Sequence, residues 1–559
     1  MKVLLIQPPI QDFYDTDIRL QPIGLCYLKA AVQAHLPDVK VLIKDYHQGH
    51  GRRTVALPAE LVYLADYYPV ADKSPFSTFH QYYHFGRSFD AIEADIAAIQ
   101  PDIIGISSLF TPYYREVLEV AGRAKRQSQA PVLLGGSHVS ALPEFMLSHP
   151  CVDYIIRGEG ERPLVALLRA LRGEQALSTV PNLGYKQAGT PHFNAMADNY
   201  DLEALPFPDL SDATPATYTL AGKPLTFMIT SRSCPHKCSF CSVHTTFGND
   251  YRRRSVAHVL EEIELRYSQG YRIIDFEDDN LTFYTRAFKE LCQRLIARFP
   301  RRQMEFVAMN GISYLSLDDE LLELMWRAGF SQLNLALVSS DTSVRQTTKR
   351  PHTIAAYLRV VQKAFDLGFR TVSYQILGLP HETLASMLQT LAFNARLPVL
   401  LGASPFYQTP HAPIARGLTL QPQDYVRARL TAMAIETPYC TRDDLYTLFM
   451  TTRILNFLKG LPLTGAQELG DLLQQPWDEP RLQIGCTLLG HLAATNTLYF
   501  WTRQGLRPNH KFKPALFWHV LQEAGQITCQ NGQPLTVATF VPASARDDAR
   551  QEDMLAPPA

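Results

Sequence analysis

The sequence predicts an α/β chain in three parts: an open, doubly wound parallel sheet, then a second βα series making a partial barrel of six units, then a mainly helical C-terminal region. Three observations predict it. Short β-branched runs alternate with helical patterns over the first third. Six further βα repeats follow a loop-rich stretch, and from about Pro410 strand patterns stop and helical ones dominate.

In the first part, Val3 to Ile6, Val39 to Ile43, Ile103 to Ser107, Val132 to Leu134 and Tyr154 to Ile156 read as strands apolar enough to be covered on both faces. Gly24 to Ala34, Ala91 to Ile99 and Tyr113 to Lys125 carry helical spacing between them. Residues 51–90 interrupt the pattern with Tyr63, Tyr67, Tyr68, Tyr82 and Tyr83, and read as an insertion that packs on the core or closes over a ligand. Residues 177–225, rich in Pro, Asn, Asp and Gly, read as a linker with one short hairpin.

The second series has strands at Thr226 to Thr230, Ile273 to Glu277, Glu305 to Met309, Gln332 to Val338, Thr371 to Leu377 and Val399 to Ala403. Its helices are Val256 to Tyr267, Phe283 to Arg298, Asp319 to Ala328, Ile354 to Leu367 and Thr383 to Ala395. Asp443 to Phe457, Arg481 to Trp501 and Pro514 to Ala524 are the helices of the last part. The domains are therefore expected at 1–176, 226–409 and 410–542, with a frayed tail at 543–559.

Composition narrows the function. Lys and Arg number 53 against 54 Asp and Glu, so there is no global pull toward nucleic acid or an anionic membrane, and a small-molecule substrate is favoured. Leu482 to Trp501 is long and uncharged, but Gln483, His491 and Asn496 make it a buried helix rather than a membrane span. With no signal peptide after Met1-Lys2, the protein is expected to be cytoplasmic.

The nine cysteines are unevenly placed, with three of them crowded into Ser233-Cys234-Pro235-His236-Lys237-Cys238-Ser239-Phe240-Cys241. This run follows the first strand of the second series, at the mouth where βα barrels carry their chemistry. Three thiolates hold three irons of a 4Fe-4S cube and leave the fourth open to an exogenous ligand. Structural zinc, with His244 or His236 as fourth ligand, is the alternative, but zinc loops usually bring two separated pairs. Cys292, Cys440, Cys486 and Cys529 lack ligand spacing and read as packed thiols, Cys440 being the one with a possible place beside substrate.

Open α/β sheets bind ligands beyond the carboxyl ends of their strands. The loops there are Gln7-Pro8-Pro9, Ser107-Ser108-Leu109-Phe110-Thr111, Gly135-Gly136-Ser137-His138 and Gly158-Glu159-Gly160-Glu161, whose glycines admit close approach to backbone. Ordinary loop roles explain the same residues.

Cys234, Cys238, Phe240 and Cys241 match at every position the CxxxCxΦC hallmark of the radical S-adenosylmethionine (SAM) enzymes, which this sequence resembles. The resemblance implies a TIM-like partial barrel with SAM chelating the open iron, Phe240 near the adenine, and one-electron cleavage of SAM to a 5'-deoxyadenosyl radical. It also implies SAM contacts from Asp278 or Asp279 after the second strand, from Ser339 after the fourth, and from Gly378 and Pro380 in Gly378-Leu379-Pro380-His381-Glu382-Thr383. The acidic pair could instead cap a helix. Arg254 reads as a solvated side chain or as a carboxylate or phosphate contact.

The open sheet in front resembles the Rossmann-like domain of the cobalamin-binding radical SAM subfamily. That implies cobalamin contacts from Pro9, Ser107, Ser108, Leu109, Thr111, Gly135, Gly136, His138, Glu159 and Gly160. The subfamily's Asp-x-His-x-x-Gly run is missing after the first strand, and Asp45-Tyr46-His47-Gln48-Gly49-His50 imitates it after the second, so cobalamin is expected without that histidine ligand. The implied activity is methylation of an unactivated carbon of a small molecule through methylcobalamin, with a low-potential, flavodoxin- or ferredoxin-like electron donor. The alternatives are a non-methylating cyclase, ring-contraction enzyme or oxidase, and a noncatalytic cobalamin or redox sensor.

Overall fold

A computed structural model describes residues 1–14, 21–197, 199–350, 352–416 and 419–542. The tail expected at 543–559 lies outside them. The first sheet is built from β1 (Lys2–Gln7), β2 (Lys40–Asp45), β3 (Ile103–Ser107), β4 (Val132–Gly135), β5 (Tyr154–Ile156), β6 (Leu183–Gln187) and β7 (Thr190–Phe193). Their spatial order is β7-β6-β5-β4-β3-β1-β2, parallel from β5 to β2. The order reverses between β1 and β3, the position at which such sheets open a ligand crevice. Every residue of β3 is buried, and a Cβ on Gly105 would lie 2.8 Å from Leu5 Cδ2, so the strand is sandwiched on both faces.

The stretch read as a linker contributes more than expected. Its hairpin, β6 and β7, joins the first sheet antiparallel to β5. The inserted segment is a packing element: the hydroxyls of Tyr63, Tyr67 and Tyr68 donate to Ala432 O (2.6 Å), Asp443 Oδ1 (2.5 Å) and Thr431 O (2.8 Å). Its rings thereby join the first sheet's core to the C-terminal region.

The second series forms β8 (Lys223–Met228), β9 (Ile273–Phe276), β10 (Glu305–Val307), β11 (Gln332–Val338), β12 (Arg370–Leu377) and β13 (Leu400–Pro405). β8 to β10 pair in parallel and β11 to β13 do likewise, while bridges Phe306–Phe330 and Ile312–Leu335 link the two groups. Helices Val256–Ser268, Thr285–Arg298, Asp319–Ala328, Ile354–Leu367 and Leu384–Ala395 intervene; strand-facing residues of the first four make one apolar core, while the buried apolar residues of Leu384–Ala395 join the core shared by the first sheet and the C-terminal region. A second core runs from Val3, Leu5 and Ile103 of the first sheet to Leu225, Phe227 and Ile273, fastening the two sheets together.

The C-terminal region departs from expectation. The helix anticipated over Arg481 to Trp501 is Pro480–Thr495; Asn496 ends it in the left-handed conformation (φ 51°), and its side chain accepts from Trp518 Nε1 at 2.8 Å. Tyr499–Thr502 then pairs with Gly505–Pro508, and Gln467–Glu468, Pro534–Thr536 and Gln526–Thr528 make another small sheet, so strands do not stop at Pro410. No described helix is long and apolar enough to cross a membrane.

Candidate active site

The cysteine loop leaves β8 through Ser231–Arg232, which pairs antiparallel with Arg252–Arg253, and turns at Ser233 in the left-handed region (φ 74°). Its start is latched by Asp278, just beyond β9. That carboxylate accepts from Thr230 N (3.1 Å), Thr230 Oγ1 (2.7 Å) and Ser231 Oγ. Asp278 is thus committed to the loop, whereas Asp279 faces the cavity described below; burial, then the adjacent Asp278, pushes Asp279 up to about 6.

Two N–H donors, one amide and one guanidinium, reach the sulfurs from other elements. Asn280 Nδ2 donates to Cys234 Sγ and Arg350 Nη1 to Cys238 Sγ, each at 3.5 Å. Burial raises the thiols of Cys234 and Cys241, the latter to about 11. Among the described residues no three His, Cys, Asp or Glu side chains converge on a single metal position. A cube takes each sulfur on a different iron, and three thiols on one loop, two of them with N–H donors at their sulfurs, suit it.

Phe240 packs with Val338, Leu379 and Phe406, bringing the turn after β12 against the cysteine loop. Gly378 (φ 79°) has no room for a side chain, since a Cβ would lie 2.8 Å from Leu445 Cδ2; Pro380 is half-buried beside it. Glu382 accepts from Leu379 N at 3.2 Å, and burial pushes it up to about 8, so it closes the turn largely uncharged. Ser339 is fully buried and meets Thr390 Oγ1 at 3.1 Å, and neither it, Gly378 nor Pro380 lines a described cavity. Arg254 is a structural cation: it pairs with Glu262 at 2.5 Å and donates to Ile229 O.

At the mouth of the first sheet a slot of about 240 Å³ is lined by Ser107, Leu109, Gly135, Gly136, Glu159 and Gly160, among others. Gly136 (φ 122°) lets its loop pass over Ser108, whose carbonyl oxygen would be 2.5 Å from a Cβ there. Ser108 itself lies behind the slot with a buried hydroxyl that has no partner. Pro9 is buried against Gly86 and lines neither cavity. Glu159 is engaged by Arg252 and, at 3.2 Å, by Arg232, while Glu161 pairs with Arg232 at 2.5 Å. The loop after β5 is therefore ion-paired to the strand that leads into the cysteines. Asp45 caps its own turn through His47 N (2.8 Å) and Gln48 N (3.1 Å), an ordinary turn role for the imitation motif.

Between these two halves lies a cavity of about 350 Å³. Leu109, Thr111 and His138 border it from the sheet, Val243, Phe247 and Asp279 from the cysteine side, and Tyr407 and Arg429 from beyond β13. His138 Nδ1 meets Thr111 Oγ1 at 3.2 Å, its Nε2 has no partner, and burial holds it down at about 4. Arg429 is neutralised by Asp12 at 3.0 Å. Cys440 is packed away from both cavities, as are Cys292, Cys486 and Cys529 from any ligand-like grouping.

Residues 228–393 match the model of the radical SAM superfamily, and residues 78–168 match that of the B12-binding domain. This chain is a cobalamin-binding radical SAM enzyme. The enzyme is 27% identical over 324 residues to an uncharacterized methyltransferase of Pyrococcus horikoshii, covering 56% of this chain and 69% of that one. It is 25% identical over 416 residues to the cytidylyl-2-hydroxyethylphosphonate methyltransferase of Streptomyces wedmorensis, covering 68% and 73%. Its fold is similar to that of a radical S-adenosylmethionine methyltransferase from Kitasatospora setae solved with cobalamin and a 4Fe-4S cluster, with a TM-score of 0.56, 17% identity, and 76% and 81% of the two chains covered. The cofactors of this cobalamin-binding radical SAM enzyme are SAM, a 4Fe-4S cluster and cobalamin.

Proposed function

We propose that the enzyme transfers a methyl group from cobalamin to an unactivated carbon of a small molecule held between the cysteine loop and the mouth of the first sheet. The observation that carries this reading is the cavity itself, which has Asp279 on one wall and Thr111 and His138 on the other. When bound, the cluster, SAM and cobalamin supply one-electron cleavage of SAM and a transferable methyl group.

Cys234, Cys238 and Cys241 would hold the cluster, and Phe240 with the Gly378–Pro380 turn would flank the adenosine. Of the acidic pair, Asp279, which lines the cavity, would accept from the SAM ammonium. Ser107, Leu109, Gly135, Gly136 and Gly160 suit a ligand that enters the slot edge-on against bare backbone, and Thr111 and His138 would meet the part of cobalamin that faces the cavity. Tyr407 and Phe247 line the cavity, where they would help keep water out. In this reading residues 1–176 form a Rossmann-like cobalamin domain, 226–409 a TIM-like six-unit partial barrel, and 410–542 a cap. The protein works in the cytoplasm and receives its electron from a flavodoxin- or ferredoxin-like donor.

The test is anaerobic reconstitution with iron, sulfide, cobalamin and SAM bearing a deuterated methyl group, followed by mass spectrometry of products from candidate extracts. A product carrying the labelled methyl, with 5'-deoxyadenosine formed alongside, is expected. Formation of 5'-deoxyadenosine with an unlabelled product would replace methylation by a cyclase or rearrangement. No 5'-deoxyadenosine from protein holding both cofactors would make the chain a sensor.

A further inference from the structure

Cys238 receives a hydrogen bond from far along the chain. Arg350, 112 positions away, donates through Nη1 to Cys238 Sγ at 3.5 Å. The same guanidinium is fixed from behind, with Nη2 donating to Ala336 O on β11 at 2.7 Å and meeting His352 Nε2 at 3.5 Å. None of the ion pairs among the described residues uses Arg350, and its neighbour His352, held down at about 3 by burial and by Arg350 itself, adds no charge. The loop thus has one uncompensated, half-buried cation at a sulfur, whereas the donor at Cys234 is the neutral amide of Asn280.

We propose that Arg350 is a positioning residue that sets the reduction potential of the cluster, acting through the sulfur of Cys238. The inference rests on the reading of Cys238 as a cluster ligand. Adding an electron makes the cluster more negative, and a fixed cation beside a ligand sulfur favours the reduced form over the oxidised one. Arg350 therefore makes the electron easier to deliver from the low-potential donor. A guanidinium held by a strand carbonyl keeps that charge in place in a way a flexible lysine does not.

The experiment is an EPR-monitored redox titration of full-length, reconstituted protein, comparing wild type with Arg350→Gln and Arg350→Lys at matched iron content. Arg350→Gln is expected to lower the reduction equilibrium constant about tenfold, a fall of 59 mV for a one-electron couple. Arg350→Lys, which keeps the charge on a shorter and looser donor, is expected to fall by less than half as much. An unchanged midpoint in Arg350→Gln with its cluster intact overturns the inference. So does loss of iron from both variants with the apoprotein fold unchanged, since Arg350 would then be a scaffold for the loop. A wild-type protein that binds no reducible cluster would instead overturn the assignment of the cysteines.

Discussion

Asp278 and Asp279 are neighbours in the chain with opposite roles. Asp278 is surrounded by the donors of Thr230 and Ser231, and its removal would leave a buried N–H and hydroxyls without an acceptor, at about 1–3 kcal/mol for each. Asp278→Ala is therefore expected to lower the melting temperature of the apoprotein, while Asp279→Asn leaves it unchanged. The SAM affinity of the reconstituted protein should behave the other way round. Asp279→Asn loses one charge-assisted contact, roughly a tenfold weakening, and equilibrium dialysis would register it. Because Asp279 is raised to about 6, it takes up a proton as the pH falls through that value, and wild-type affinity for the SAM ammonium should fall with it; in Asp279→Asn that slope disappears. Equal SAM affinities for wild type and Asp279→Asn would remove Asp279 from the site. The sequence offered the two carboxylates as equals, because which one turns inward depends on hydroxyls 47 and 48 positions away. Arg350 left no trace in spacing at all, since only the approach of the β11 end to the β8 loop makes it a neighbour of Cys238.

At the scale of elements, strands and helices with strong periodicity were readable to within a few residues, and Ile103–Ser107, Gln332–Val338 and Ile354–Leu367 coincide with their expected limits. Failures came where a single backbone conformation decides. Asn496 in the left-handed region cuts one helix short and frees Tyr499–Thr502 to pair, although the apolar pattern runs straight through it. The hairpin Leu183–Gln187 and Thr190–Phe193 was legible as a hairpin but not as part of the first sheet, because sheet membership is a tertiary fact. Gly136 shows the same dependence on backbone at the slot. It combines φ 122° with a Ser108 carbonyl at 2.5 Å from any Cβ, so Gly136→Ala must move the loop. The strain is of order 1–3 kcal/mol, and the variant should retain iron but lose cobalamin, read by visible absorption after desalting. Full cobalamin retention would show that the slot is not where cobalamin sits.

Across the whole molecule, the contact that joins the two chemistries is the buried brace Glu161–Arg232 with Glu159 and Arg252. It connects the loop after β5 to the residue two places before Cys234, and Tyr200 adds its hydroxyl to Glu161 at 2.7 Å. The sequence offered Glu159 as a cobalamin contact and Glu161 only as part of a glycine-spaced loop, and neither as an ion-pair partner, since their arginines sit some 70 and 90 positions later. Breaking one side of such a pair strands the other charge in a desolvated setting, at about 3–5 kcal/mol, whereas removing both partners costs far less. Glu161→Leu and Arg232→Met are each expected to depress the thermal midpoint of the apoprotein strongly, and the double variant to recover much of the loss. Iron uptake on reconstitution should follow the same order, because the brace also fixes where the cysteine loop begins. If the double variant melts as low as the sum of the single effects, the two side chains act independently, and the sheet mouth and cysteine loop are held in register by the apolar core from Val3 to Ile273 instead.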